Sequence, residues 1–184
     1  GDLIEDITMA DTVTENGEGA FSGLPNHVRA DESGFTVTLS QSLEKIDDYA
    51  FAFSDVSSIT LPDSVKEIGT RAFRRCYELE TLTIGENSQL ETIGSEAFAD
   101  CSQLVQGFPK NVHCIKSEAF WNVSFPEEIA FSDQLQELGL RAFGSYSGGL
   151  NTVYFTGDAP VITDERIAKE DNDTVFPDAT YAIY

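Results

Sequence analysis

Basic residues are scarce in this sequence. Eleven lysines and arginines stand against 32 aspartates and glutamates, a formal net charge of −21. A nucleic-acid binder needs cations to displace phosphate counterions, so this balance excludes DNA and RNA as partners. It also excludes docking on an anionic membrane surface. The acidity itself serves solubility and self-repulsion. No apolar run nears the roughly 18 residues that span a bilayer, so no membrane insertion of this segment is expected. Histidine is limited to His27 and His113. A Ser-His-Asp or Cys-His centre requires one of them. His113 adjoins Cys114, but neighbouring residues on a strand face opposite ways. There is no Gly-rich phosphate loop, His-x-x-x-His pair or Cys-x-x-Cys. An enzyme is not expected, and catalytic, cofactor and metal residues are read as none.

What is present is a repeat. With 41% hydrophobic and 23% charged residues, the chain has the composition of a folded domain, and 184 residues suffice for one elongated unit. Five copies of a six-residue pattern recur: Ile46-Asp47-Asp48-Tyr49-Ala50-Phe51, Ile68-Gly69-Thr70-Arg71-Ala72-Phe73, Ile93-Gly94-Ser95-Glu96-Ala97-Phe98, Ile115-Lys116-Ser117-Glu118-Ala119-Phe120 and Leu138-Gly139-Leu140-Arg141-Ala142-Phe143. The Phe-to-Phe steps are 22, 25, 22 and 23 residues. A period in that range marks a stacked solenoid, which offers a long repetitive surface rather than one deep site.

Phe35-Thr36-Val37-Thr38-Leu39 alternates apolar and polar residues, as a half-buried strand does. The alternation returns after each repeat Phe in Ile59-Thr60-Leu61, Leu82-Thr83-Ile84, Ile129-Ala130-Phe131 and Val153-Tyr154-Phe155. After Phe98 it degenerates to Gly107-Phe108-Pro109, a weaker rung. One strand per repeat cannot form hairpins, so successive strands are expected to be parallel neighbours in a right-handed coil. The spacing of Ile, Ala and Phe suggests one side of a short helical turn, capped by Asp48, Thr70, Ser95 or Ser117. Each Phe then supplies the largest buried area of its coil, worth about 1.5–3 kcal/mol. The fold class expected is α/β: a right-handed solenoid with a parallel β-sheet on one face and short helical turns on the other.

Residues 1–34 lack the pattern and carry Gly17, Gly19, Gly23, Pro25 and Gly34; they read as a leader and N-terminal cap. Residues 35–161 hold the repeats, about five to six coils, and 162–184 an acidic insertion with a terminal strand or cap. Within the insertion, Asp164–Asp173 clusters carboxylates of a kind that ligate Ca²⁺, but lacks the Gly and terminal Glu of a recognised loop and reads as solvated. Cys76 and Cys101 each follow a repeat Phe by three residues and stack in neighbouring coils. A bridge between them stays open, with buried free thiols the simpler expectation. Cys114 is expected to point outward or into a turn. The chain starts at Gly1 and stops on an apolar stretch at Tyr184, so a longer natural polypeptide is the expectation.

Cys76-x-x-Leu79-x-x-Leu82-x-Ile84, followed by Leu90-x-x-Ile93-x-x-x-Ala97-Phe98-x-x-Cys101, resembles the BspA-like (Treponema-type) leucine-rich repeat, and residues 56–73 match it as well. The resemblance covers roughly residues 35–161. It also extends to an array ending: Val153–Pro160 as the penultimate strand and turn, Phe176 as a last Phe position and Ala179–Tyr184 as a closing strand. It implies an extracellular or cell-surface bacterial protein engaged in adhesion, with host or bacterial surface protein or glycan as partner. It brings no catalytic residues, and a monomer is expected.

Candidate contacts lie on the outward strand positions Ser58, Thr60, Thr81, Thr83, Glu128, Ala130, Ser132, Thr152, Tyr154 and Thr156, a hydroxyl-rich stripe on the open sheet face. Thr is also simply a good strand former. Trp121 is a second candidate; it and Tyr146 each follow a repeat Phe, and Phe125 lies near Trp121. The function expected is a non-enzymatic surface binding module recognising protein or glycan through a solenoid face. The alternative is a passive structural spacer within a larger cell-surface protein. A contiguous patch of exposed aromatics would separate the first from the second.

Overall fold

A computed structural model describes residues 6–24, 35–104, 112–124, 128–144, 152–156, 158, 160–163 and 180–183. Every strand pairing among them is parallel. Strands β1 (Asp6–Thr8), β2 (Phe35–Thr38), β4 (Val56–Leu61) and β6 (Thr81–Ile84) form one sheet in the order β1-β2-β4-β6. Strands β9 (Glu128–Phe131), β11 (Thr152–Phe155) and β13 (Thr180–Ile183) form another, ordered β13-β11-β9. The segment Gly107-Phe108-Pro109 lies outside the described residues, as do Phe176 and Asp164–Asp173. The expected alternation holds in these strands. Ile59, Leu61, Leu82, Ile129 and Phe131 are buried, while Thr60, Thr81, Thr83 and Ala130 are exposed.

A second strand in each coil is not apparent from the sequence periodicity. β3 (Lys45–Ile46), β5 (Glu67–Ile68), β7 (Thr92–Ile93), β8 (Cys114–Ile115), β10 (Glu137–Gly139) and β12 (Val161–Thr163) form a six-stranded parallel sheet. The repeat Ile or Leu therefore lies in a strand. Most of these strands are two residues long, too short for a period to be visible.

The helical turns expected after that Ile are replaced by strings of tight turns, and no helix occurs among the described residues. Backbone hydrogen bonding gives the reason. Tyr49, Phe51 and Phe53 donate their N–H groups to Thr70, Ala72 and Arg74 of the next coil, at 2.9, 2.7 and 2.8 Å. The intervening Ala50, Ala52 and Ser54 donate back three residues, to Asp47, Tyr49 and Phe51. An α-helix sends every N–H four residues back within its own segment. Here alternate N–H groups go to the neighbouring coil instead. Left-handed residues complete the break: Tyr49 (φ 58°) and Phe53 (φ 60°), matched by Arg71 and Arg75, Glu96 and Asp100, and Glu118 and Asn122. The side-chain caps also differ from expectation. Asp48 Oδ1 accepts from Thr70 N at 2.8 Å, across coils rather than within its own turn.

Residues 6–24 add a coil at the N-terminal end. β1 pairs in register with β2, and the N–H groups of Gly19, Phe21 and Gly23 reach the carbonyls of Asp48, Ala50 and Ala52. Gly19 (φ 63°) and Gly23 (φ 65°) occupy the two left-handed positions, where glycine bears no Cβ penalty.

The core is a ladder of phenylalanines. Phe21, Phe51, Phe73, Phe98, Phe120 and Phe143 stack face to face, with centroid separations of 5.0, 5.1, 5.1, 5.2 and 5.5 Å. Ala50, Ala72, Ala97, Ala119 and Ala142 are fully buried beside them. Their small size lets neighbouring coils close up.

Candidate surface site on the turn ladder

The strings of turns bring side chains into columns, one residue per coil. One column runs Tyr49, Arg71, Glu96, Glu118 and Arg141; a second runs Phe53, Arg75, Asp100 and Asn122. Both consist of left-handed residues. Arg71 bridges two coils, donating Nη1–H to the Tyr49 hydroxyl at 2.6 Å and Nη2–H to Glu96. Its guanidinium also lies over the Tyr49 ring, 5.6 Å from the centroid. The Glu96 carboxylate, and then the Tyr49 hydroxyl, hold the Arg71 pKa above its usual value. Arg74 Nε approaches the other Glu96 oxygen at 3.2 Å.

The second column repeats the theme. Arg75 Nε donates to Asp100 Oδ2 at 3.4 Å, and its guanidinium lies 5.7 Å from the Phe53 ring centroid. Asn122 Nδ2 donates to the other Asp100 oxygen at 3.2 Å. Phe53 is 48% exposed and Tyr77, just beyond Arg75, is 51% exposed. Arg71, Arg74, Arg75 and Arg141 are four of the eleven basic residues of the chain, all brought to this face. Guanidinium stacking on aromatic faces is worth roughly 0.5–1 kcal/mol at exposed sites, so the columns order one another.

The stripe residues occupy the sheets. Thr36, Ser58 and Thr81 are successive partners in one row, and Thr60 pairs with Thr83 in the next. Glu128 pairs with Thr152, and Ala130 with the half-buried Tyr154, in the sheet of β9 and β11. Trp121 belongs to the turn ladder instead. It is half-buried, lies against Gly144 and has Arg141 at 5.9 Å from its ring. Phe125, Tyr146 and His27 fall outside the described residues. Sequence reasoning did not single out Tyr49, Phe53, Arg71, Arg74 or Arg75. The available signals were the Arg74-Arg75 pair and a second Phe, Phe53, two residues past the ladder position.

The cysteines are free. Cys76 and Cys101 are buried, and each thiol donates to the carbonyl of the repeat Phe one coil earlier, Phe51 or Phe73, at 3.0 Å. Burial pushes the Cys101 thiol well above its ordinary pKa. The half-buried Cys114 donates to Glu137 Oε2 at 3.3 Å, and Lys116 reaches the same oxygen at 3.1 Å. No group of three metal-ligating side chains occurs among the described residues, and no described helix is long and apolar enough to cross a membrane.

Parallel coils of two strands, a Phe ladder and columns of outward side chains define a leucine-rich-repeat solenoid, a class whose faces bind through many shallow contacts. The BspA-type leucine-rich repeat model matches in six copies, over residues 2–104 and 26–151, and the chain belongs to that family. Several solved structures share the fold. A leucine-rich repeat protein from Bacteroides ovatus ATCC 8483 is 20% identical with a TM-score of 0.53, the match covering 86% of this chain and 51% of that one. The pneumococcal vaccine antigen PcpA is 22% identical with a TM-score of 0.60, covering 87% of this chain and 47% of that one. A leucine-rich cell surface protein from Faecalibacterium prausnitzii A2-165 is 19% identical with a TM-score of 0.50, covering 99% of this chain and 48% of that one. The chain thus spans about half the length of each. No curated protein matches the sequence.

Proposed function

We propose that this chain is a non-enzymatic binding module of a cell-surface protein, recognising a surface protein or glycan through the turn ladder. The observation that carries this reading is the exposed Phe53 beside stacked guanidinium groups. Interface hot spots favour Trp, Tyr and Arg, and Arg75 contacts the exposed ring, with the exposed Tyr77 just beyond Arg75 in sequence. A spacer would gain from Phe53 only its stacking on Arg75, worth roughly 0.5–1 kcal/mol, against the cost of its left-handed backbone. The family membership supports a scaffold role, and the cell-surface description of the Faecalibacterium protein supports a surface setting. The hydroxyl rows of Ser58, Thr60, Thr81 and Thr83, with Glu128, Thr152 and Tyr154, form the second surface to compare.

The test is a screen of the full chain against a panel of host and bacterial surface proteins and glycans. Any hit is repeated with Phe53→Ala and with Thr60→Ala/Thr83→Ala. Loss of the hit with Phe53→Ala alone supports the turn ladder. Loss only with the threonine pair moves the contact to the sheet, and silence across the panel favours a spacer.

A further inference from the structure

We infer that the coil carrying Arg71, Arg74 and Arg75, with Phe53 one coil below, binds an acidic polypeptide segment in which carboxylate and apolar side chains alternate. This rests on the binding-module reading above and names the chemistry of its partner. Three guanidinium groups lie on one coil and meet two carboxylates from the next, Glu96 and Asp100. This gathers three of the eleven basic residues of a chain of net charge −21 onto one coil.

The donors are only partly used. Arg74 Nε lies 3.2 Å from Glu96 Oε2 without forming a hydrogen bond, and Arg75 donates through Nε while its guanidinium stacks on Phe53; neither arginine donates a hydrogen bond from its terminal Nη groups to the described residues. Arg75 is 42% exposed in its side chain. A planar N–H fork of that kind suits a carboxylate bidentately.

The aromatic rings discriminate between partner classes. A sugar ring stacks on an open aromatic face, and the Tyr49 and Phe53 rings each have one face taken by a guanidinium, which leaves less open ring for a sugar. What this surface offers is a partly exposed ring next to an N–H fork. A polypeptide supplies the complement on neighbouring residues, a carboxylate for the fork and an aliphatic side chain for the ring. Electrostatics gives orientation as well. An acidic segment is repelled by the rest of this surface and drawn to the arginine coil, which makes the encounter salt-dependent.

The experiment is fluorescence anisotropy with the full chain and a labelled synthetic peptide of alternating Glu and Leu, its Gln counterpart, and a sulfated heparin oligosaccharide. The expected result is binding of the Glu peptide about tenfold tighter than the Gln peptide, weakening several-fold as salt rises from about 50 to about 300 mM. Arg74→Gln and Arg75→Gln should each lose several-fold in affinity for the Glu peptide while keeping the far-ultraviolet circular dichroism spectrum of the parent, and Phe53→Ala should weaken both peptides. Equal binding of the two peptides overturns the inference, as does binding of heparin in preference to the Glu peptide. If the protein and glycan panel yields a partner indifferent to Arg74→Gln and Arg75→Gln while the Glu peptide is not preferred, the acidic-segment inference falls and the binding module stands. Silence of panel and peptides together removes both.

Discussion

Phe73 sits in the middle of the ladder and is fully buried, with Phe51 and Phe98 stacked on its two faces at 5.1 Å and interplanar angles of 2° and 3°. Truncating it to Ala removes a ring and leaves a cavity that cannot collapse, because inter-coil hydrogen bonds on either side fix the spacing. Phe73 N donates to Ala97 O at 2.7 Å, and Phe51 N donates to Ala72 O at the same distance. The usual cost of such a change is about 3–5 kcal/mol. Two lost ring contacts, each about 0.5–1.5 kcal/mol, place this site at the upper end. Phe21, at the N-terminal end, has one stacked neighbour, at 5.0 Å, and is only half-buried. Its truncation should cost roughly half as much, about 2 kcal/mol. Urea unfolding read by far-ultraviolet circular dichroism measures both. Trp121 fluorescence reports the C-terminal coils separately. In a quasi-one-dimensional stack a break at Phe73 should also uncouple the two signals, which coincide in the parent. A cost for Phe21→Ala equal to or above that for Phe73→Ala would refute the ladder as the organising element, as would coincident transitions at a cost below about 2 kcal/mol.

Four further outcomes follow from individual contacts. Gly94→Ala puts a Cβ 2.6 Å from the Gly69 carbonyl carbon and 2.7 Å from Thr70 N, both backbone, whereas Gly23→Ala meets nothing within 4 Å and bears only its φ of 65°; urea midpoints should show a loss of about 3 kcal/mol for the first and about 1 kcal/mol for the second. Glu118 is left-handed at φ 58°, so thermal melts should find Glu118→Val less stable than Glu118→Gly by about 2 kcal/mol, and equal melting points would remove the backbone argument. A thiol-specific chromogenic reagent should find one reactive cysteine in the native protein, Cys114, and three after unfolding; three reactive thiols in the native state would contradict the burial of Cys76 and Cys101. Lys116, and then Cys114, hold the Glu137 carboxyl below its ordinary value, so its contribution is complete above about pH 4.3 and fades as pH falls through the depressed value. The pair is exposed, so Glu137→Gln should cost under about 1 kcal/mol at neutral pH and flatten the acid limb of the urea midpoint; parallel limbs would sink the assignment.

The parts of this fold legible in the sequence are those that repeat with large side chains. The Phe period, the alternation in Ile59-Thr60-Leu61 and Leu82-Thr83-Ile84, and the closing strand around Tyr181 all have structural counterparts. The turn strings were misread because Ile-x-x-x-Ala-Phe has the spacing of a helical face as well. Only the backbone decides between the two, when Tyr49 and Phe51 give their N–H groups to the next coil. The N-terminal coil was hidden by its glycines. Gly19 and Gly23 read as breakers, although they occupy the positions held by Tyr49 and Phe53 one coil on. Its Ala20-Phe21 pair was present but 30 residues from Phe51, off the period. The turn-face patch was invisible for a further reason. Its members lie at variable positions of the repeat, and only stacking brings Arg71 to Tyr49 and Arg75 to Phe53.

Those variable positions hold the functional argument. A non-glycine residue in the left-handed region costs on the order of 1 kcal/mol, and nine of them are found among the described residues. The first coil meets the same backbone demand with Gly19 and Gly23, so the fold itself requires no side chain there. The side chains at these positions offset that strain by what they contact. Part of that is internal: Arg71 ties Tyr49 to Glu96, and Asp100 ties Arg75 to Asn122, locking adjacent coils. Phe53 also stacks with Arg75, but that internal role does not account for a ring left 48% exposed or for the idle Nη groups of Arg74 and Arg75. A spacer selected only for rigidity would place glycine at position 53, as the first coil does at 23. The Phe there, beneath a guanidinium with donors to spare, supports the proposed binding role over that of a spacer.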